Sequence, residues 1–398
     1  MNQTTDHLSF ENTEIAFRHS SNSDLKRAYW LFRVINVNFL VKIGPPITNF
    51  AVKIGLPIKG LIKATIFKHF CGGETIRECE KTIKSLEAGN VGTILDYSIE
   101  GEDDEQVFDS TCEEIIRTIR RAAKETAIPI TVFKVTGVGR FSLLEKLDSK
   151  AALNEAEQAE WKKVQDRVLV ICQKAFDTGI PVMIDAEETW IQDTIDQLAL
   201  NMMRRFNKDK AIVYNTYQLY RHDKLQSLKS DHQAAATEGF ILGVKLVRGA
   251  YMEKERKRAA EMGYPSPIQP DKAATDKDYD AALHHCTDHV KQIAFVAGTH
   301  NEDSCRLLAD LLDKKGISHK NPHVYFSQLL GMSDNLSFNL ADAKYNVAKY
   351  VPYGPIKAVL PYLFRRAQEN TAIAGQMSRE LSLIVKEVGR RSKAKGER

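Results

Sequence analysis

Two adjacent arginines, Arg365 and Arg366, stand in KYVPYGPIKAVLPYLFRRAQENTAIAG at 349–375. On a helix they lie about 100° apart around the axis. Tyr362, Arg366 and Glu369 or Asn370 recur at three- and four-residue spacing and share one face. Such a pair can grip one carboxylate bidentately and leave a donor for a second anion. A solvated basic face is the plain alternative, but the flanking tyrosines and the preceding apolar strand favour binding. A second set of cations is in VKLVRGAYMEKER, where Lys245 and Val247 alternate with Leu246 and Arg248 along a strand. Gly249 and Ala250 at its end permit close backbone approach, which suits a flat, phosphate-bearing cofactor as well as a capped strand end. Asp185 in MIDAEE follows a buried apolar run, where a carboxylate must find a partner or shift its pKa. His300 in AGTHN reads as a ribose or phosphate ligand or as a plain loop histidine.

Other chemistries fit less well. His285 and His289 lie four residues apart, but without HExxH or a third ligand they read as a solvated helix face, and no metal is expected. There is no G-x-S-x-G elbow and no Walker loop. Lys134 and Lys245 both end strands, which keeps a Schiff-base aldolase open. An aldolase lysine, however, needs a desolvated site with few competing cations, and two arginines beside two lysines suit anion binding better. GVGRFS at 137–142 begins like a dinucleotide fingerprint, but Ser142 stands where the third glycine belongs, so it reads as a loop.

These residues must be placed by something regular. Eight β-branched, aromatic-rich runs recur at 91–100, 128–139, 180–189, 210–220, 240–251, 293–301, 323–331 and 345–354, each followed by sequence able to form a helix. That rhythm predicts an α/β chain with a parallel sheet buried on both faces. Eight units close a barrel. An open doubly wound sheet would gather chemistry at one switch point, whereas Asp96, Lys134, Asp185, Gln218, Arg248, His300, Gln328 and Tyr350 fall late in, or just after, successive strands. The expectation is a distorted (βα)8 barrel of TIM type over 90–377, with an N-terminal helical arm at 1–89 and a basic C-terminal tail at 378–398.

The composition is that of an ordinary globular chain: 398 residues, 43% hydrophobic, 27% charged, net charge +4. The charge is unevenly placed. Between Leu25 and Gly73 there is no Asp or Glu, while Lys26, Arg27, Arg33, Lys42, Lys53, Lys59, Lys63 and Lys68 all fall there. Six scattered cysteines without CxxC, and an acidic, polar start, suggest a reduced cytoplasmic protein with neither signal nor transit peptide. Charges and Pro45-Pro46 interrupt every candidate membrane span. Nothing points to nucleic acid.

Taken together, KYVPYGP, PYLFRRAQEN, KLVRGAYMEKERKRAAE, MIDAEE and FSQLLGMSDNLSF resemble the proline dehydrogenase family, in order, from about residue 90 to 375. KLVRGAY and QLLGM are closer to the eukaryotic form than to the bifunctional bacterial one, which carries Arg where Lys245 stands. The length suggests the monofunctional type. The resemblance implies a barrel holding FAD at the carboxyl ends of its strands, with the last helix over the pocket. It also implies oxidation of L-proline to Δ1-pyrroline-5-carboxylate, by hydride transfer from Cδ to flavin N5 and then to a membrane quinone.

By the same resemblance Lys134, Arg365 and Arg366 bind the substrate carboxylate, Tyr350, Tyr362 and Leu330 wall the ring, and Asp185 orients the pocket by holding Tyr350 or an arginine. Glu100 closes it by pairing with Arg365. Ala186, Gln218, Lys245, Val247, Arg248, Gly249, Ala250, Thr299, His300, Arg366 and Glu369 match the flavin-contacting set, and Asp185, Lys245 and Tyr350 serve catalysis. Tyr350 excludes a 4-hydroxyl, so proline is preferred over hydroxyproline. Beside a quinone-reducing barrel, the basic arm at 25–73 suggests peripheral attachment to the inner face of an anionic membrane, or an arm that packs on the barrel. The alternatives are a hydroxyproline-preferring relative, a lysine aldolase, and a membrane-surface binding protein with a degenerate barrel.

Overall fold

The computed structural model describes residues 8–35, 59–99, 103–372 and 374–396, with the side chains of 368–378 and those beyond 394 outside the description. Eight parallel strands close into a barrel: β1 (Gly92–Tyr97), β2 (Ile130–Phe133), β3 (Val182–Ile184), β4 (Val213–Gln218), β5 (Leu242–Val247), β6 (Ile293–Gly298), β7 (Val324–Leu329) and β8 (Val347–Tyr353). All eight fall inside the apolar runs identified from sequence. β8 pairs back onto β1, with Ile94 opposite Tyr350, and closes the ring. The fold class is the expected (βα)8 barrel.

Strand alternation sorts every residue inward or outward. Ile94, Ile130, Val132, Met183, Tyr214, Ala294, Val296, Ala348 and Tyr350 fill the barrel interior. The alternate residues, such as Leu95, Phe133, Ile184, Leu246, Phe295, Phe326, Val351 and Tyr353, form a larger core with the surrounding helices. The same parity carries Lys134, Asp185, Gln218 and Lys245 inward at the strands' carboxyl ends. Local signals set the helix limits. The long helix Glu155–Thr178 opens on a reciprocal Asn154–Glu157 capping box and stops at Gly179, whose φ of 69° favours glycine.

A second apolar cluster lies beside the barrel. Leu25, Phe32 and Ile35 of the helix Asn22–Ile35 and Phe67 and Phe70 of the following helical turns meet Val359 and Leu363 of the helix Ile356–Ala372. They also meet Leu383 and Ile384 of the final helix Ala374–Gly396. The described parts of the basic arm therefore pack on the helix carrying the arginine pair, and residues 36–58 lie outside the described residues. The segment 378–398, read from sequence as a basic tail, belongs through 396 to that final helix. It is held down by buried Glu380, bonded to the Ser333 N–H, and by Arg391, which donates to the carbonyls of Phe17 at 2.6 Å and Ser20 at 2.8 Å.

One sequence expectation needs correction and another holds. His285 and His289 are not a solvated face. They are half-buried, and buried His232 from the helix Lys224–Glu238 packs against both, with ring centroids at 5.1 and 4.5 Å. The third histidine was invisible because it lies more than fifty residues upstream and meets the pair only once the helices on either side of β5 are adjacent. GVGRFS is a structural turn, as expected: a Cβ on Gly139 would sit 2.7 Å from Val164, and Arg140 pairs with Glu160.

Candidate active site

The centre of the barrel mouth is a carboxylate. Asp185, one residue beyond β3, takes the Lys245 ammonium on Oδ1 at 2.6 Å and the Tyr350 hydroxyl on Oδ2 at 2.5 Å. Both partners project inward, from β5 and β8, so three separated strands converge on one anion. Lys245 Nζ also lies 4.5 Å from the centroid of the Tyr350 ring. All three side chains are buried, which makes the triangle a positioning device more than a source of stability: buried ion pairs often only offset their own desolvation. Burial, then the Asp185 charge, raises the Tyr350 phenol well above its ordinary range. The cation that meets Asp185 is thus a lysine, and the carboxylate holds Tyr350 as well.

Above this triangle lies the helix Ile356–Ala372, interrupted internally by Pro361. Arg366 is buried with its guanidinium 5.2 Å from the Tyr362 ring centroid, the contact expected of residues four apart. Arg365 turns the other way and stacks over Tyr251, at 5.7 Å, in the loop after β5. Lys134 leads from β2 into the turn Val135–Gly137, and its charge acts on the buried Glu187. The gate residue Glu100 and the side chain of Glu369 lie outside the described residues.

Most of the residues matched to the flavin set occupy the carboxyl ends of β4, β5 and β6, while Ala186 follows β3 and Arg366 and Glu369 are on the helix after β8. Gln218 donates from Nε2 to the Glu187 carbonyl at 3.2 Å, and its buried Oε1 has no partner among the described residues. Arg248 is outward-facing and heavily tied. It donates to Asp276 at 2.7 Å, to Thr299 Oγ1 at 2.7 Å and to Ser304 Oγ at 3.0 Å, and stacks 4.3 Å from the Tyr279 ring centroid. Gly249 has φ 139°, and a Cβ there would strike the Tyr220 ring at 2.5 Å. Tyr220 thus takes the close approach on one side of Gly249, while Gly249 and Ala250 remain exposed on the other. His300 bonds Ser333 Oγ through Nδ1 at 2.9 Å. Burial, with the charges of Lys349, Arg366 and Arg248, pushes its pKa down to about 3, so the ring is neutral. Val247 and buried Ala186 lie within this rim.

Three residues escaped the sequence reading. Leu329, not Leu330, packs against the interior cluster; Leu330 sits against the outer core. The alternation of β7 is the signal that separates them. Lys349 is fully buried and outward-facing, with Nζ bonded to Asp334 at 2.7 Å and to the carbonyls of Met332 at 2.6 Å and Leu329 at 3.2 Å, so it braces the loop after β7. Gln328, next to it, faces outward too and clamps Thr299 O and Ser337 instead of entering the pocket. Glu187, in MIDAEE, accepts from Thr136 N at 3.1 Å and from the Thr136 hydroxyl. Burial pushes its pKa up to about 8, against the pull of Lys134.

The chain is similar to known proteins in sequence and in fold. A family model described as proline dehydrogenase matches residues 79–379. Proline dehydrogenase 1, mitochondrial, of Dictyostelium discoideum is 34% identical over 98% of this chain and 76% of its own length. The carbapenem antibiotics biosynthesis protein CarD of Pectobacterium carotovorum is 33% identical over 84% of this chain and 86% of its own. Among solved structures, proline utilization A from Bdellovibrio bacteriovorus, inactivated by N-propargylglycine, superposes with TM-score 0.71 at 19% identity. The likeness covers 90% of this chain and 38% of that one, and it speaks for the fold. With a matched model over three quarters of its length and relatives above 30% identity, the chain belongs to the proline dehydrogenase family.

Proposed function

We propose that this chain is an FAD-dependent proline dehydrogenase that oxidises L-proline to Δ1-pyrroline-5-carboxylate and passes the electrons to a membrane quinone. The observation that carries the reading is the Asp185–Lys245–Tyr350 triangle beneath Tyr362 and Arg366: a mouth whose tyrosines and cations suit a small ring bearing a carboxylate.

The residues present fit the cofactor. Gln218 Oε1 is a buried acceptor without a partner among the described residues, and a ring with an N–H on its edge satisfies it. Arg248, Thr299 and Ser304 supply charge and hydroxyls at the end of β6 for a phosphate-bearing tail, and Gly249 and Ala250 leave backbone open to it. Bound there, flavin supplies the two-electron acceptor for the carbon beside the ring nitrogen.

The protein's own contribution is orientation. Arg365, Arg366 and Lys134 take the substrate carboxylate, and Tyr350 and Tyr362 confine the ring. Asp185 fixes Tyr350 so that the ring presents one edge, a restriction that reduces the barrier by several kcal/mol in well-oriented reactions. His300, held neutral, adds no charge to the pocket. Tyr350 also sets specificity: its phenol occupies the space a 4-hydroxyl needs. The Lys245 amine is engaged by Asp185 at 2.6 Å, which disfavours the aldolase reading.

Access to quinone is assigned to the arm. Trp30, Val34 and Leu61 are 62%, 52% and 67% exposed, beside the cations Arg33, Lys59 and Lys63, a combination suited to the interface of an anionic bilayer. No helix among the described residues is long and apolar enough to cross a membrane. The deciding experiment is flavin reduction by L-proline in purified protein, followed by reoxidation with a soluble quinone. Protein that binds FAD stoichiometrically yet is not bleached by proline would overturn the proposal.

A further inference from the structure

The histidine cluster on the outside of the barrel has no part in this chemistry. His232 lies within the helix Lys224–Glu238, His285 within the helix Lys272–Asp288, and His289 caps the latter, three residues before the residue preceding β6. One ring nitrogen of each lies within 4.8 Å of the others, and the ring centroids are 4.5 to 5.1 Å apart. This is the outer helical layer toward the amino end of β6, away from the carboxyl-end mouth, where barrel residues serve stability rather than catalysis.

The hydrogen bonds leave these rings prepared for a cation. His289 Nδ1 faces the His285 carbonyl at 2.9 Å; a carbonyl only accepts, so Nδ1 carries the proton and Nε2 presents its lone pair. His232 Nε2 faces Gln292 Oε1 at 2.8 Å, which assigns its proton likewise and leaves Nδ1 as the electron-pair donor. His285 Nε2 is buried and has no hydrogen-bond partner among the described residues. An imidazole anchored through one nitrogen to a carbonyl or amide oxygen, with the other free, is the usual state of a metal-ligating histidine. Two of the three rings are anchored in this way, and without a metal the cluster leaves the buried His285 Nε2 unsatisfied, which costs about 1–3 kcal/mol.

We propose that His232, His285 and His289 bind one divalent transition-metal cation of the zinc class, cross-linking the helices on either side of β5. Three imidazoles and no carboxylate select against Ca2+ and Mg2+, which require oxygen ligands. Tetrahedral Zn–N bonds of about 2.0–2.1 Å bring ligand nitrogens to roughly 3.3 Å apart, so the rings close by no more than about 1.5 Å, within side-chain rotation. The fourth position is left to water. Occupation stabilises the folded barrel without touching the mouth.

The test uses untagged, metal-stripped holoprotein titrated with Zn2+ by calorimetry and with Co2+ by visible absorption. Wild type takes up one equivalent, gives the d–d bands of a four-coordinate site with three nitrogen ligands, and melts higher with Zn2+. Free metal at 100 times Kd raises the weight of the folded state about 100-fold. His289→Ala and His232→Ala each weaken binding at least about 10-fold, and Gln292→Ala, which frees the His232 ring, does so by about 10- to 100-fold. In wild type alone, Zn2+ protects these three histidines from diethyl pyrocarbonate, read by mass spectrometry, which needs no variant to fold. Proline turnover by His289→Ala is unchanged. Failure of wild type to bind one equivalent, binding that survives in His232→Ala, or equal binding of Mg2+ overturns the proposal and leaves the proposed dehydrogenase activity untouched.

Discussion

Replacing Tyr350 with Phe removes one oxygen and leaves the ring that faces Lys245 at 4.5 Å. What is lost is the 2.5 Å bond from the phenol to Asp185 Oδ2, in which the acceptor is charged and both groups are buried. Hydrogen bonds to charged groups contribute about 1.5–3 kcal/mol. If the bond fixes the ring in the orientation the substrate meets, that energy reappears in catalysis, lowering kcat/KM by roughly 10- to 150-fold. Lys245→Met removes the other partner of Asp185 and leaves a buried, uncompensated charge, costing about 3–5 kcal/mol of stability. Because both act through one carboxylate, the double variant is non-additive, with a coupling of about 0.5–3 kcal/mol. Tyr353→Phe is the control: it lies on the same strand but faces outward, where its hydroxyl bonds Thr118 at 2.7 Å and Glu114 at 3.1 Å. It should lower the melting temperature and spare turnover. The assay is proline-dependent reduction of a soluble quinone, with flavin content measured in every variant. Should Tyr350→Phe keep kcat/KM within about twofold of wild type, or should the two substitutions at the triangle prove additive, the positioning role of Asp185 is wrong.

Further outcomes follow from the same geometry. Tyr350→Ser should relax the preference for proline over trans-4-hydroxyproline, read as the ratio of the two kcat/KM values. Leu329→Ala should raise the KM for proline, while Leu330→Ala should act mainly on the melting temperature, since only Leu329 packs against the barrel interior. Gly249→Ala should lower flavin content, because φ is 139° and the new Cβ meets the Tyr220 ring at 2.5 Å. Four buried groups shape stability against pH. His69 and His300, lowered to about 4 and about 3 from 6.5, lose protons on folding, so their contribution falls as pH drops below 6.5. Glu187 and Glu380, raised to about 8 and about 7 from 4.5, gain protons on folding, so their contribution falls as pH climbs from 4.5 to 8. The two effects oppose each other between 4.5 and 6.5. Melting temperature should therefore decline from 6.5 toward 8, and Glu187→Gln should flatten that decline.

The barrel was legible because its strands are buried on both faces, so each reads as a continuous apolar run, and eight of them recur at helical intervals. The same property hid part of the site. A strand rich in apolar residues does not announce which of them face inward, and so Leu329, which packs against the interior cluster, was not singled out beside Leu330. Once the pairing of Leu329 with Tyr350 is known, the direction of every β7 side chain follows. Asp185, Lys245, Tyr350 and the arginine pair were legible for a different reason: each is a charged or hydroxyl-bearing residue where an apolar run ends, a position at which burial demands a partner.

Lys349 shows where that rule stops. It sits inside an apolar strand with no sequence neighbour to pair with, and its partners, Asp334 and the carbonyls of Leu329 and Met332, come from the loop of the preceding unit. A buried lysine in that setting reads as either error or function from the chain alone, and only the closed barrel shows that it spans two units. The outward faces of β7 and β8 therefore do as much for the pocket as the inward ones. Gln328 and Lys349 pair in register and tie the loop after β7 to β6 and to the helix Asp334–Asp342, while Tyr350, next along, faces the barrel interior. Residues on the inside are held by polar residues on the outside one position away. Changes at Lys349 should thus be felt in proline binding as well as in stability.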